Sequence, residues 1–311
     1  MSISYRLSVV LRKDLRWGRY IALSVEPSNH CDLSCKECPT GMGSLTRKKG
    51  LFDTDAYSEL LQKEAKQLLY LNFYFQGEPF LNPNLCRLIR EAHRKKIYTS
   101  VSTNAQTLTA ERAEQVVLSG LDRIIISIDG TSQDVYEKYR VGGSLQKVID
   151  ATKYLVTSKR KQGSLLQIVF QMVVFSHNEH QIQDLISLAK TIGVDKVDLK
   201  SAQIYNFQEK RDMIPINKKW SRYIEEGGLV KIKNPLKHRC WRMWHSAVVT
   251  QDLNVVPCCY DKDAEFKLGN LKEVSLKDIQ KSIQFKNFRE SIALKRSSIE
   301  MCKNCDEGLK L

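Results

Sequence analysis

Three thiols stand together near the start of the chain, in Cys31-Asp-Leu-Ser-Cys35-Lys-Glu-Cys38, just after an apolar run from Ile21 to Val25 and a Glu26-Pro27 step. With three and then two residues between them they can converge on one face of a tight loop, a spacing that suits a cubane iron–sulfur cluster better than a four-ligand zinc site. Three ligands leave one iron of such a cluster without a cysteine. An open coordination position is what separates a site that binds a substrate or cofactor from a closed, structural one. Half of a zinc knuckle, or thiols buried as small hydrophobes, is the competing reading, and the placement after a strand favours the cluster. A second group lies far downstream: Cys240, Cys258 and the pair Cys302-Lys-Asn-Cys305. Four thiolates can close a second metal site completely, as an iron–sulfur cluster or as zinc. Of the nine cysteines, Cys86 and Cys259 are left over, and the adjacency of Cys258 and Cys259 leaves open which of the two is the ligand. So many thiols point to metal in a reducing cytosol, not to disulfides.

The elements that must hold these groups are legible as alternation. Short apolar runs occur at Ile21 to Val25, Leu69 to Phe75, Tyr98 to Ser102, Arg123 to Ile128, Leu166 to Val174 and Lys196 to Lys200. Amphipathic segments lie between them, near Thr54 to Gln67, Asn84 to Lys95, Thr109 to Ser119, Ser144 to Ser158 and Glu179 to Ile192. Continuous apolar strands alternating with helices predict a parallel sheet covered by helices, either closed into a barrel or opened as a doubly wound sheet. In both, chemistry belongs at the carboxyl ends of the strands, where the cysteine loop sits. Gly120 and Gly193 follow helical segments as left-handed stops would.

The same rim carries other groups able to meet a ligand. Gln76-Gly77-Glu78-Pro79 follows the second strand, Ser102-Thr103-Asn104 ends the third, Ser127-Ile128-Asp129 ends the fourth, and Arg140 lies in a loop beyond. Glycine lets backbone approach a ligand, a carboxylate suits an ammonium, and a guanidinium forks onto a carboxylate. Each of them is, on its own, equally an ordinary turn or loop residue.

From Gln203 to Lys237 the rhythm fails, with Pro215, Gly227-Gly228 and Pro235 as punctuation, and one short helix is expected around Lys218 to Glu226. Beyond it, Ala247 to Thr250 and Val255 to Cys258 read as two strands turning at Asp252-Leu253-Asn254, and a helix runs from Leu276 to about Lys295. The expected organisation is an extension over 1–20, a strand–helix domain over 21–203, a linker over 204–238 and a metal-binding module over 239–311.

The chain of 311 residues is long enough to bury a large core. Mean hydropathy is −0.36, and the longest apolar stretch, Leu165 to Phe175, is interrupted by Gln167 and Gln171 and is too short to span a bilayer. The first twenty residues mix apolar residues with Arg6, Arg12, Lys13, Arg16 and Arg19 and contain no export signal, so a cytoplasmic location with no membrane partner is expected. The net charge of +14 comes from scattered groups such as Arg47-Lys48-Lys49 and Lys159-Arg160-Lys161. Scattering of this kind disfavours nucleic acid and gives a little weight to anionic substrates, acidic peptides among them.

The CxxxCxxC group resembles the signature of the radical S-adenosylmethionine (radical SAM) enzymes, and the resemblance extends over most of the chain. It implies a partial (β/α)6 TIM-like barrel, a 4Fe-4S cluster on Cys31, Cys35 and Cys38, and S-adenosylmethionine (SAM) chelated to the open iron. In the family, reductive cleavage of SAM yields a 5'-deoxyadenosyl radical that removes a substrate hydrogen atom. Carried over by motif, Gly77 and Glu78 meet the methionine amino group, Thr103, Asn104 and Ser127 contact ribose or carboxylate, and Arg140 pairs with the carboxylate. The C-terminal cysteines are similar to the twitch form of the SPASM extension, a β-hairpin plus helix holding one auxiliary 4Fe-4S cluster on Cys240, Cys258, Cys302 and Cys305. Three departures from the family stand out. Gln76 replaces a glycine and offers its side chain to ligand; Glu37 replaces an aromatic residue that packs on adenine; Asn254 replaces a hairpin glycine. The layout, similar to that of the aminocyclitol dehydrogenases of the family, implies oxidation of a small alcohol or sugar-like metabolite through the auxiliary cluster, with a flavodoxin- or ferredoxin-type donor supplying electrons. Gln171 and Lys200, at strand ends, are candidates for the base this would need. Peptide or protein maturation is the alternative, disfavoured by the short stretch before the first strand, and a non-catalytic iron–sulfur or zinc protein is a third.

Overall fold

The computed structural model describes residues 2–15, 17–233 and 236–305. An N-terminal helix, α1 (Ser2–Leu11), precedes the first strand–helix units: β1 (Ala22–Val25), α2 (Thr54–Glu64), β2 (Tyr70–Asn72), α3 (Leu85–Arg94), β3 (Tyr98–Thr103), α4 (Ala110–Leu118) and β4 (Arg123–Ser127). The next units are α5 (Gln133–Tyr139), α6 (Leu145–Lys161), β5 (Gln167–Val174), α7 (Ile182–Ile192) and β6 (Lys196–Ser201). Helix starts follow local chemistry: Asp53 caps α2 by accepting from Asp55 N and Ala56 N at 3.0 and 2.8 Å, and Thr109 caps α4 from Arg112 N at 3.2 Å. Gly120 and Gly193 take the positive φ expected of them, 79° and 94°.

Strands β1 to β6 are parallel neighbours in chain order. One face of this sheet is apolar: Leu23, Leu71, Val101, Ile124, Ile126, Ile168, Phe170 and Met172 are all buried against the helices. The opposite face is polar. Register places Ser24 beside Asn72, Asn72 beside Ser100, Ser100 beside Arg123, Ser127 beside Gln171 and Gln171 beside Asp198. Asn72 Nδ2 donates to Ser24 Oγ at 3.2 Å, and Arg123 and Asp198 pair at 2.7 Å across that face. A helix-covered convex side and a polar concave side are the two surfaces of a partial barrel.

After β6 the helix expected near Lys218 to Glu226 does not form. The segment is a hairpin, β7 (Tyr223–Glu226) and β8 (Leu229–Ile232), because Gly227 and Gly228 both sit at positive φ and turn the chain back on itself. The C-terminal part then runs α8 (Arg242–His245), β9 (Ser246–Val249), β10 (Asn254–Val256), β11 (Gly269–Asn270), α9 (Leu276–Lys281) and α10 (Ile283–Lys295). The single helix expected from Leu276 to Lys295 is split at Ser282, which leaves helical geometry to cap α10 through Phe285 N. The left-handed residue of the β9–β10 turn is Leu253 (φ 68°), not Asn254, which is already in strand.

Strand β9 pairs in parallel with β1, from Ala22 with Ser246 to Val25 with Val249, and β10 and β11 follow antiparallel. The sheet therefore has nine strands, in the order β11-β10-β9-β1-β2-β3-β4-β5-β6. The C-terminal strands thus extend the barrel sheet at its β1 edge. Among the described residues no helix is long and apolar enough to cross a membrane.

Candidate cluster and cofactor sites

The cysteine loop leaves β1 and is anchored at both ends by one buried ion pair. Arg47 Nη1 and Nη2 fork onto Glu26 Oε2 and Oε1 at 2.6 and 2.7 Å, and Gln251 N, from the β9–β10 turn, adds a third donor at 3.0 Å. Burial pushes the Glu26 carboxyl up, and Arg47 opposes that shift. In the middle of the loop, Ser34 N and Lys36 N donate to Val141 O and Tyr139 O. Cys31, Cys35 and Cys38 share an apolar nest with Leu33, Tyr139 and Phe175. Sulfur-directed donors converge there: Leu33 N on Cys31 at 3.5 Å, Asn104 Nδ2 on Cys31 at 3.6 Å and Arg140 Nη1 on Cys35 at 3.8 Å. Burial raises the Cys31 thiol to about 12 and raises Cys35 as well. Thiolates at this depth need a cation to offset them, and a donor set of three sulfurs in a dry nest with N–H groups aimed at it fits a cluster.

Gly77 presses against this loop. Its φ is 71°, and a side chain there would place Cβ 2.5 Å from Ser28 O and 2.7 Å from His30 O. The next residue, Glu78, donates its backbone N–H to His30 O at 2.8 Å. Its wholly buried carboxylate accepts from Phe80 N at 3.1 Å, Thr103 Oγ1 at 2.7 Å and Asn104 N at 2.7 Å. Desolvation still raises that carboxyl to about 7. Three of about four acceptor sites are taken, which leaves room for one further donor. Asn104 bridges onward, its Nδ2 reaching Asp32 Oδ1 at 2.6 Å. The structure therefore brings Cys31, Gly77, Glu78, Thr103 and Asn104 into one network.

Arg140 caps α5 and stands beside Cys35, but its Nε donates to Asp129 Oδ2 at 2.5 Å. Asp129 takes Val173 N on its other oxygen at 2.6 Å. Asp129 is thus a strut holding Arg140 in place. Gln76 does not offer its amide to the site, since Nε2 folds back on Phe75 O at 3.0 Å. Glu37, at φ 57°, turns inward and accepts from Tyr205 N at 2.7 Å and from Lys210 Nζ, tying the cysteine loop to the segment after β6. Ser127 and Gln171 lie side by side on the concave face, and Lys200 is exposed two residues beyond Asp198 on β6.

At the other end of the sheet Cys240, Cys258, Cys302 and Cys305 are all buried. The buried guanidinium of Arg296 lies among three of them: Nη2 is 3.1 Å from Cys305 Sγ, and the negative character of Cys305, Cys240 and Cys302 raises its pKa against its burial. A cation already placed among thiols matches the charge of a thiolate-held cluster. Cys258 lies beside both Cys259 and Cys240, and Cys259 also packs on Val248 and Val256 with Arg242 Nη1 at 3.8 Å. The importance of Arg296, Glu26–Arg47 and Asp32 has no signature in the sequence, because each becomes visible only when folding brings its partners to it.

Comparison with known proteins bears on what these sites hold. Residues 25–189 match the family described as the Radical SAM superfamily, and residues 240–306 match an iron-sulfur cluster-binding (SPASM) domain. A PqqA peptide cyclase of Gluconobacter oxydans is 26% identical over 306 residues, covering 92% of this chain and 82% of its own length. One from Ruegeria pomeroyi is 29% identical over 188 residues, and there the chain spans 48% of the relative. Among solved structures, Streptococcus suis SuiB bound to precursor peptide SuiA superposes with a TM-score of 0.68 at 15% identity, covering 98% of this chain and 74% of that one. BtrN in complex with AdoMet and 2-DOIA gives 0.56 at 19% identity, covering 93% and 94%. At such identities the structures speak to the fold, a radical SAM partial barrel with a C-terminal extension. The first domain brings a 4Fe-4S cluster and SAM, and the second brings auxiliary iron–sulfur. This chain belongs to the radical SAM superfamily.

Proposed function

We propose that the protein is a radical SAM peptide maturase, which oxidatively modifies residues of a peptide substrate. The observation that carries this is the similarity, over nearly the whole chain, to an enzyme named as a peptide cyclase. It favours peptide chemistry over the small-alcohol oxidation suggested by the layout, and likeness in fold to SuiB and BtrN is neutral between the two.

In this reading Cys31, Cys35 and Cys38 hold the cluster that binds SAM, and Cys240, Cys258, Cys302 and Cys305 hold the auxiliary one. When bound, these groups supply one-electron chemistry: reductive cleavage of SAM at one site and removal of an electron from the substrate at the other. The chain's own residues aim and shield. Glu78 keeps one acceptor site for the methionine ammonium while Phe80 N, Thr103 and Asn104 hold its carboxylate still. Arg140, braced by Asp129 beside Cys35, would pair with the methionine carboxylate, and Ser127, on the concave face beside Gln171, would contact ribose or carboxylate. Leu33, Tyr139 and Phe175 keep water from the thiols. A flavodoxin- or ferredoxin-type protein is the proposed electron donor.

The test is anaerobic co-expression with each short peptide encoded beside the gene. Loss of two hydrogens from one peptide, dependent on SAM and on Cys31, supports the reading. Oxidation of a small alcohol with no peptide modified would overturn it.

A further inference from the structure

A cleft of about 270 Å³ opens between the two cysteine groups. One wall is Pro39 and Leu45, from the loop after Cys38; the other is Tyr260 and Met301, next in sequence to Cys259 and Cys302. Gln203 and Tyr205, just past β6, form its floor. Lys262 projects into this space. Its Nζ donates to Gln203 Oε1 at 3.2 Å and stands 5.0 Å from the centroid of the Tyr205 ring. An ammonium has three donors, and Gln203 takes one.

Four carboxylates line the same cleft, yet among the described residues none pairs with this ammonium. Asp261 accepts from Glu265 N at 2.8 Å and Phe266 N at 3.0 Å. Asp263 accepts from Thr46 N at 2.9 Å and the Thr46 hydroxyl at 2.6 Å. Glu300 pairs with Lys303, and Glu265 is exposed to solvent. The fold's own donors thus hold three of the four acids, and Lys262 keeps a cationic head with donors to spare.

We propose that the cleft is a substrate subsite in which Lys262 binds a side-chain carboxylate of the peptide, holding that residue between the Cys31–Cys38 loop and the C-terminal thiols. The proposal rests on the peptide reading above. With Gln203 taking one of its three donors, the ammonium has two left, which suits the two oxygens of one carboxylate. Burial also pulls the ammonium below the ordinary lysine value, so an anionic partner gains more there than at the surface.

The test reads Lys262 directly in the wild-type holoenzyme with SAM bound. Lysine acylation by an N-hydroxysuccinimide acetate is followed by mass spectrometry with Ac-Ala-Glu-Ala-NH2, Ac-Ala-Gln-Ala-NH2 or glutarate present. The Glu tripeptide is expected to slow acylation of Lys262 at least tenfold more than the Gln tripeptide does, with exposed Lys63 unaffected by either. Equal protection by both tripeptides would leave the peptide reading standing and overturn the carboxylate contact. Protection by glutarate alone would keep the contact and remove the peptide. No protection by any of the three refutes the subsite.

Discussion

Replacing Arg47 by Met should loosen the joint between the cysteine loop and the C-terminal strands. Arg47 and Glu26 are almost fully buried, with two hydrogen bonds of 2.6 and 2.7 Å between them. Arg47 also donates to Lys262 O at 3.2 Å, on the wall of the proposed subsite. In Arg47→Met the Glu26 carboxylate keeps only Gln251 N, and removing one member of such a buried pair costs about 3–5 kcal/mol. At about 2 °C per kcal/mol for a chain of this length, the melting temperature should fall by about 6–10 °C. The charge left behind, not the lost packing, is the reason, so Glu26→Gln/Arg47→Met should recover at least half of the loss. The same argument fixes a pH dependence. Burial already raises Glu26 above 4.5, and without Arg47 its folded value rises further. The folded state then binds a proton that the unfolded state releases, so stability is greatest below about 4.5 and falls as pH rises through the folded value. Arg47→Met should therefore lag the double variant more at pH 8 than at pH 6. Scanning fluorimetry on anaerobically purified proteins reads all of this. A drop below 2 °C, or a double variant no more stable than the single, would refute the reasoning.

Alanine at Cys31, Cys35 and Cys38 together should lower iron from about eight to about four per chain and abolish deoxyadenosine formation; zinc in place of the remaining iron would make the C-terminal site structural. Gly77→Ala forces Cβ within 2.5 Å of Ser28 O at a left-handed φ, which costs about 1–3 kcal/mol and should weaken SAM binding, read by equilibrium dialysis, without changing the iron content. Arg296→Met leaves three buried thiols without their cation, so about half of the iron should be lost on desalting while the SAM-cleaving cluster persists; Arg296→Lys should retain most of it.

Much of the barrel was legible because its signals are local. The isoleucines of β4 and the glycines after α4 and α7 each act within a few residues, so strand and stop could be placed from spacing alone. The cysteine loop was legible for the same reason, since three thiols within eight positions need no distant partner to suggest a cluster. Where a local cue was overridden, the cause lies nearby too: Gly227-Gly228 turned an expected helix into a hairpin, and the left-handed position of the β9–β10 turn fell on Leu253, one residue before Asn254.

What only the tertiary structure decided is everything that depends on meeting. Parallel pairing of β9 with β1 brings Cys240 and Cys258 onto the sheet that carries the cysteine loop, and no periodicity in residues 246–256 encodes that neighbour. Asp129 claims one nitrogen of Arg140, Glu37, standing where the family has an aromatic residue, becomes a tie to Tyr205 and Lys210, and Arg296 meets the distant Cys240 together with the Cys302–Cys305 pair. Lys262 was one surface-type lysine among many until folding set it between two cysteine groups and directed the neighbouring carboxylates elsewhere. Residue type and spacing determine which chemistry this chain can do; charge partners and burial, which depend on contacts across the whole chain, determine where each group is aimed.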